Sequence, residues 1–269
     1  MKFEKFRIIV DYNRKNQDKM TAKVRDFYFK MGMNYEKDLL NIMMIVRPLF
    51  YKKNYLVIEI PFKDKEIGAI CYKGDSYGYT ILNSSLSKVS VNFALAHEIC
   101  HVFYQDKWLG KKIELYMNEH YFEHEEEMSA NLFAGILLMP APSFVEMYKK
   151  FKNEEEEEDS YITVFCKLMS YFEVPYMSAV IRAYELDLLP DGDVLQKLLE
   201  VDMELIQREF LRLWLDEKIL FSSGRDDFYR LKELVRNVGE KYEKEELLNR
   251  NMIEKILENM SSIYEEIRG

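Results

Sequence analysis

The sequence predicts an α+β protein: a small antiparallel or mixed sheet early in the chain, helices around it, and a mostly helical C-terminal region. Three observations carry this reading. Alternating side chains, the strand period, are confined to residues 55–82. Beyond Asn83 the apolar spacing is helical for most of the chain. Glycine and proline number only 10 and 6 in 269 residues, which argues against a loop-rich sandwich and for long helices.

The elements follow in order. Residues 1–33 are charged and aromatic and read as mixed helix and irregular structure. Leu39, Leu40, Met43 and Met44 stand at helical spacing and predict a helix over Tyr35–Tyr51. The period then changes, giving a strand over Tyr55–Phe62 that Pro61 ends. Ile67–Tyr72 and Tyr77–Leu82 read as a hairpin, with Lys73, Gly74, Asp75 and Ser76 as its turn. Taken as an edge, Tyr77–Asn83 is either a plain edge strand or a place for an extended substrate to pair. Ser87–Gln105 is an amphipathic helix, Trp108–Tyr121 a loop or broken helix, and Glu123–Leu138 a helix stopped before Pro140. Pro142 suits the first turn of the next helix, which ends near Phe151. Six consecutive acids, Glu154–Asp159, read as a solvated linker or an exposed helix start. Tyr161–Leu189 is a pair of short helices around Val174 and Pro175. Asp193–Phe221 and Asp226–Ile267 are long, charged and periodic, and read as helices packed on one another. The chain therefore divides into 1–152, an acidic linker and helical pair over 153–189, and a helical C-terminal domain over 190–269.

Composition narrows the function classes. An apolar fraction of 48% supports a buried core and excludes wholesale disorder. The net charge of −9 disfavours a protein that coats nucleic acid or an anionic membrane. No export signal is visible, and the longest apolar stretch, near Leu39–Phe50, is broken by Asn41, Arg47 and Pro48. Cys71, Cys100 and Cys166 are odd in number and widely spaced, which fits reduced thiols and a cytoplasmic protein.

The four histidines all fall between His97 and His124. His97-Glu98-Ile99-Cys100-His101 is an HExxH motif. Residues four apart share a helix face, so both imidazoles can converge on one metal ion, and neutral imidazole is a good zinc ligand. Glu98 stands beside that face and can take a proton from a water made acidic by the metal. Cys100, three residues from His97, points off the ligand face. A catalytic zinc site needs a third protein ligand. Glu127 offers one from a predicted helix whose continuation, Leu132, Phe133, Ile136, Leu137 and Leu138, is apolar enough to be buried. Asn131, one turn further on, can orient a ligand from behind. A rival set of His120, His124 and Glu123 lacks such completion. His120, His124, Tyr104, Tyr116 and Tyr121 are the candidates to face the open metal position and stabilise an oxyanion.

At this point a resemblance becomes specific. Glu127-Met128-Ser129-Ala130-Asn131-Leu132-Phe133-Ala134-Gly135-Ile136-Leu137-Leu138-Met139-Pro140 resembles the ExxANxFAxxLLMP signature of ImmA/IrrE-type zinc peptidases. Phe93-Ala94-Leu95-Ala96-His97-Glu98-Ile99-Cys100-His101 is similar to that family's FTLAHELGH helix, with Cys100 where glycine is common. Ile60-Pro61, Ile67-Gly68-Ala69 and Ile81-Leu82-Asn83 resemble its strand region, so the likeness runs from about Asn54 to Pro142, with a weaker echo to Leu189. The resemblance implies a zincin-like, gluzincin-type metallopeptidase core holding one Zn2+ ion. His97, His101 and Glu127 match its metal ligands and Glu98 its general base. It also implies a protein substrate, such as a helix-turn-helix repressor or an antitoxin-like regulator, cut to derepress mobile-element or stress genes. The tail beyond Asp191 has no counterpart in the minimal family. It leaves room for a non-catalytic protein, or a toxin–antitoxin partner, that binds through the same scaffold.

The segment from Leu168 to Leu186 has helix-turn-helix-like spacing. Between Ser170 and Leu189 its one strong cation is Arg182, against Glu173, Glu185 and Asp187, so packing is a better role for it than direct contact with nucleic acid.

Overall fold

The computed structural model describes residues 1–34, 41–74, 77–104, 125–154, 161–190 and 192–268, with the backbone of 112–116. The first element, α1 (Phe3–Lys30), is one continuous helix of 28 residues, where the sequence predicted mixed helix and irregular structure. Its charged surface masks a narrow apolar stripe. Phe6, Val10, Asn13, Met20, Val24 and Phe27 are buried, at steps of three, four and seven residues that keep one face inward. That face lies along α4 (Glu125–Leu138) and α7 (Tyr176–Glu185). The helix α2 (Ile42–Lys52) buries Ile42, Val46 and Phe50 at intervals of four. The start predicted for it at Tyr35 lies outside the described residues.

Four strands form one mixed sheet: β1 (Tyr55–Ile60), β2 (Ile67–Lys73), β3 (Gly78–Asn83) and β4 (Lys112–Tyr116), in the order β1-β3-β2-β4. β1 pairs parallel with β3, while β2 pairs antiparallel with both β3 and β4. The predicted hairpin is β2–β3, closed by the Gly74 N–H donating to the Tyr77 carbonyl at 2.9 Å. Two expectations are corrected. Tyr77–Asn83 is not an edge, because β3 is paired on both sides. Residues 112–116, expected in a loop or broken helix, form the edge strand β4. Gly78 is required where it stands, since a Cβ there would lie 2.2 Å from the Tyr55 ring.

Asn83 closes the sheet. Fully buried, its side-chain oxygen accepts from the Phe62 and Ser85 N–H groups, and its amide donates to the Asp64 and Ile67 carbonyls. This pins both ends of the β1–β2 connection just before α3 (Lys88–Tyr104) begins.

One face of the sheet carries α3. The other is covered from far along the chain. Ile58, Ile60, Phe62 and Ile70 pack with Phe228 of α10 (Phe228–Lys244) and Tyr264 of α11 (Arg250–Arg268). The Phe228 and Tyr264 rings stack at 3.8 Å. These two helices, from the predicted segment Asp226–Ile267, pack on one another and also roof the sheet. The segment leading into α10 is stitched to β1. The Asp227 N–H donates to the Glu59 carbonyl at 2.8 Å, and the Glu59 N–H donates to the Asp227 carboxylate at 3.0 Å. Arg47 and Arg225 bind the same two acids. The free side of β1 is thereby occupied at Glu59.

The remaining helices are α5 (Ala141–Asn153), α6 (Tyr161–Phe172), α8 (Asp193–Leu199) and α9 (Met203–Arg212). Leu168, Phe172, Val174, Ala179 and Val180 of the α6–α7 pair are buried in the main core, as are Leu195, Leu198 and Phe210. Arg182 is buried too, donating to the Met139 carbonyl and to Glu185 at 3.1 Å each. Helix α9 ends in a Schellman turn: Leu215 N–H donates to the Phe210 carbonyl and Trp214 N–H to the Leu211 carbonyl. Trp214 occupies its left-handed position, at φ 54°, and is 94% exposed. Among the described residues no single helix is long and apolar enough to cross a membrane.

Candidate metal centre

The site is built from α3 and α4, which lie side by side. Ser87 caps α3, its hydroxyl accepting from the Ser90 N–H. Ala94, Leu95, Ala96, Ile99 and Cys100 are fully buried around the motif, so the helix is held on several sides and its polar residues are carried inward. His97, Glu98 and His101 are 0%, 0% and 1% exposed. Helix α4 begins with Glu125, Glu126 and Glu127, acids at the end where the helix dipole favours negative charge.

His97, His101 and Glu127 meet. The two Nε2 atoms are 2.8 Å apart, and the Glu127 carboxylate lies 3.1 Å from His97 Nε2 and 3.5 Å from His101 Nε2. All three ligand atoms fall within 4.8 Å of one another. Asn131 stands one turn after Glu127 and places its side-chain oxygen 2.9 Å from His97 Nδ1. An amide oxygen there accepts the Nδ1 proton, which leaves the Nε2 lone pair facing the centre. Two imidazole nitrogens and a carboxylate, converging in a buried place, are the donor set of a catalytic zinc site. The Glu98 carboxylate adds a second sign of fit. Both its oxygens are buried and neither has a hydrogen-bond partner among the described residues, an arrangement that is costly unless something polar enters the site.

The electrostatics follow from burial. Desolvation raises the Glu98 pKa, against the pull of His101 and His97. Burial would likewise raise that of Glu127, but hydrogen bonds from His101 and His97 outweigh it and hold the carboxyl well below its usual range. Glu127 is thus poised as an anionic ligand, and Glu98 is shifted in the direction that a general base working near neutral pH requires.

Other candidates are placed differently. The Tyr104 hydroxyl donates to Asp26 of α1 at 2.7 Å, so it is engaged away from the ligand set in place of the predicted oxyanion role. Cys100 also faces α1, near Tyr12 and Tyr104, and burial pushes its thiol up to about 12. His120, Tyr121, Glu123 and His124 lie outside the described residues, as does the side chain of Tyr116. Two neighbours escaped sequence reasoning. The Cys71 thiol, on β2, lies beside Glu98, with its pKa raised by desolvation first and by the Glu98 charge second. Tyr12 on α1 donates to the Glu125 carbonyl at 3.0 Å and pairs with Ser129 at 2.5 Å, bracing the helix that carries Glu127. Both contacts join residues far apart in the chain, and no local spacing announces them.

The family model described as Peptidase_M78, IrrE N-terminal-like domain, matches residues 52–184. This span begins just before β1 and ends in α7, taking in both metal-site helices. No curated protein matches the chain.

Proposed function

Over residues 52–184 the chain belongs to this ImmA/IrrE-type metallopeptidase family, and we propose that it is a zinc-dependent endopeptidase that cleaves one regulatory protein. The convergence of His97, His101 and Glu127 beside the unpartnered Glu98 carboxylate carries this reading. Zinc, when bound by those three residues, supplies Lewis acidity that polarises the scissile carbonyl and acidifies a water. Glu98 accepts the proton of that water as its oxygen bonds to the carbonyl carbon. It then delivers the proton to the leaving amine as the C–N bond breaks. Asn131 holds the His97 ring so that Nε2 faces inward.

For the substrate we propose a helix-turn-helix repressor or antitoxin-like regulator in the cytoplasm, whose loss derepresses mobile-element or stress genes. A DNA-binding substrate is basic, and the chain carries a net charge of −9, so long-range attraction favours their encounter.

The test is Glu98→Gln. The variant keeps the metal and the shape of the site, so it captures the substrate without cutting it. Wild-type protein then cleaves what is captured, and metal removal stops it. Cleavage by Glu98→Gln at the wild-type rate would overturn the reading. A cellular effect that survives in Glu98→Gln would point to partner binding on the same scaffold.

A further inference from the structure

Behind the metal centre lies a pocket of about 180 Å³ between α1, α3, α4 and α7. Its walls are apolar: Ile9, Phe93, Leu132, Met177 and Ile181 line it. Gly135 opens it. This glycine sits inside α4 on the same face as Asn131, and a Cβ built on it would meet nothing within 4 Å. A glycine inside a helix costs about 1 kcal/mol relative to alanine. Close packing often accounts for such a residue, and here there is none; what the missing side chain provides is space. The volume matches that of an apolar cavity able to hold a benzene-sized molecule, about 150 Å³.

One end of the pocket is polar and buried. Glu185 accepts from the Asn13 amide at 2.5 Å through one oxygen and from Arg182 at 3.1 Å through the other. All three residues are less than 9% exposed. The guanidinium and the carboxylate compensate one another, so this end offers hydrogen bonding without net charge. Each Glu185 oxygen uses one of its two lone pairs in these bonds and retains capacity for a further donor.

We propose that this pocket binds a small neutral aromatic molecule of about ten heavy atoms, carrying one N–H or O–H donor that points to Glu185. The ring replaces the missing Gly135 side chain against Phe93, Leu132 and Ile181. A charged ligand is disfavoured, because its charge would enter a largely apolar pocket in which Arg182 and Glu185 already neutralise each other and the Met1 ammonium is engaged by the Leu199 carbonyl. The occupant would touch Asn131, whose oxygen meets His97 Nδ1. The proposal does not depend on peptidase activity, and its test reads binding alone.

The probe is indole, titrated into the full-length protein with its methionine methyl groups labelled for NMR. The Met177 methyl resonance shifts saturably. Gly135→Ala, which places one methyl in the pocket, weakens binding about tenfold, and Gly135→Leu abolishes it. Indole-3-acetate, the anionic analogue, binds at least about tenfold more weakly than indole. A Met177 resonance unmoved at the solubility limit of indole would overturn the proposal. So would binding unchanged in Gly135→Ala, a variant expected to fold at least as well as wild type, or an anion that binds as tightly as indole.

Discussion

Asn131→Ala isolates the hydrogen bond that orients the first histidine. In the wild type the Asn131 oxygen is 2.9 Å from Nδ1 of a ring that is 0% exposed. Alanine removes the acceptor and leaves a polar N–H in a place water reaches poorly. A buried donor without a partner costs about 1–3 kcal/mol. The ring can recover that energy by rotating or by moving its proton to Nε2, and either change removes the lone pair from the centre. Metal affinity therefore carries the loss. At 1.4 kcal/mol per tenfold, zinc binding weakens by about 5- to 150-fold, in line with the range for residues that support metal ligands. Competition against a chromophoric chelator, at fixed pH and with the full-length chain, measures this directly. Thermal unfolding in excess chelator checks that the metal-free variant still folds. Asn131→Asp, which retains an acceptor, holds most of the affinity. Zinc affinity of Asn131→Ala within about twofold of wild type, in a folded protein, would refute the argument, since the bond would then contribute less than about 0.5 kcal/mol.

Three further outcomes follow from the packing. Asp227→Ala removes the acceptor of the Glu59 N–H and a partner of Arg225 and Arg47; at about 1–3 kcal/mol and about 2–4 °C per kcal/mol, calorimetry should show Tm falling by roughly 2–12 °C. The Glu209 carboxyl is held below its ordinary range by Arg212, with Thr163 also donating. A depressed folded pKa adds stability that is fully present above the unfolded value of about 4.3 and disappears as pH falls through the folded value. Denaturant titrations should therefore find Glu209→Gln less stable than wild type at pH 7 and the difference closing on acidification. Trp214→Gly relieves a left-handed residue and sacrifices almost no packing, because the ring is 94% exposed; it should stabilise the protein by about 0.5–1 kcal/mol, read from its Tm.

The candidate metal centre was legible because its parts are local. HExxH places two ligands on one turn of α3, and Glu127 and Asn131 are one turn apart on α4, so helical spacing alone groups them in pairs. The long helix α1 was not legible, since a stripe as narrow as Phe6, Val10, Met20 and Val24 is diluted by the run of charges and amides from Asp11 to Lys19. The strand β4 was missed for another reason. Lys112–Tyr116 is short, and it gains its identity by pairing with β2, some forty positions earlier. Tyr104 shows the same limit at one side chain: its position near the histidines is written in the helix, but Asp26, which takes its hydroxyl, belongs to α1. The apolar positions of α10 and α11 were visible as helical faces. That Phe228 and Tyr264 meet Ile58 and Ile70 depends on a contact spanning most of the chain.

That long-range roof has a consequence for how the protein is made. A ribosome releases β1, β2 and both metal-site helices well before Phe228 and Tyr264 emerge. Until then Ile58, Ile60 and Ile70 have no cover on their outer side, and the free side of β1 awaits Asp227. The nascent metallopeptidase region therefore spends the rest of translation with an open apolar sheet, the kind of surface that recruits chaperones or neighbouring chains. A chain interrupted after Leu189 would carry His97, His101 and Glu127 on helices α3 and α4, beside a sheet whose outer face lacks Phe228 and Tyr264.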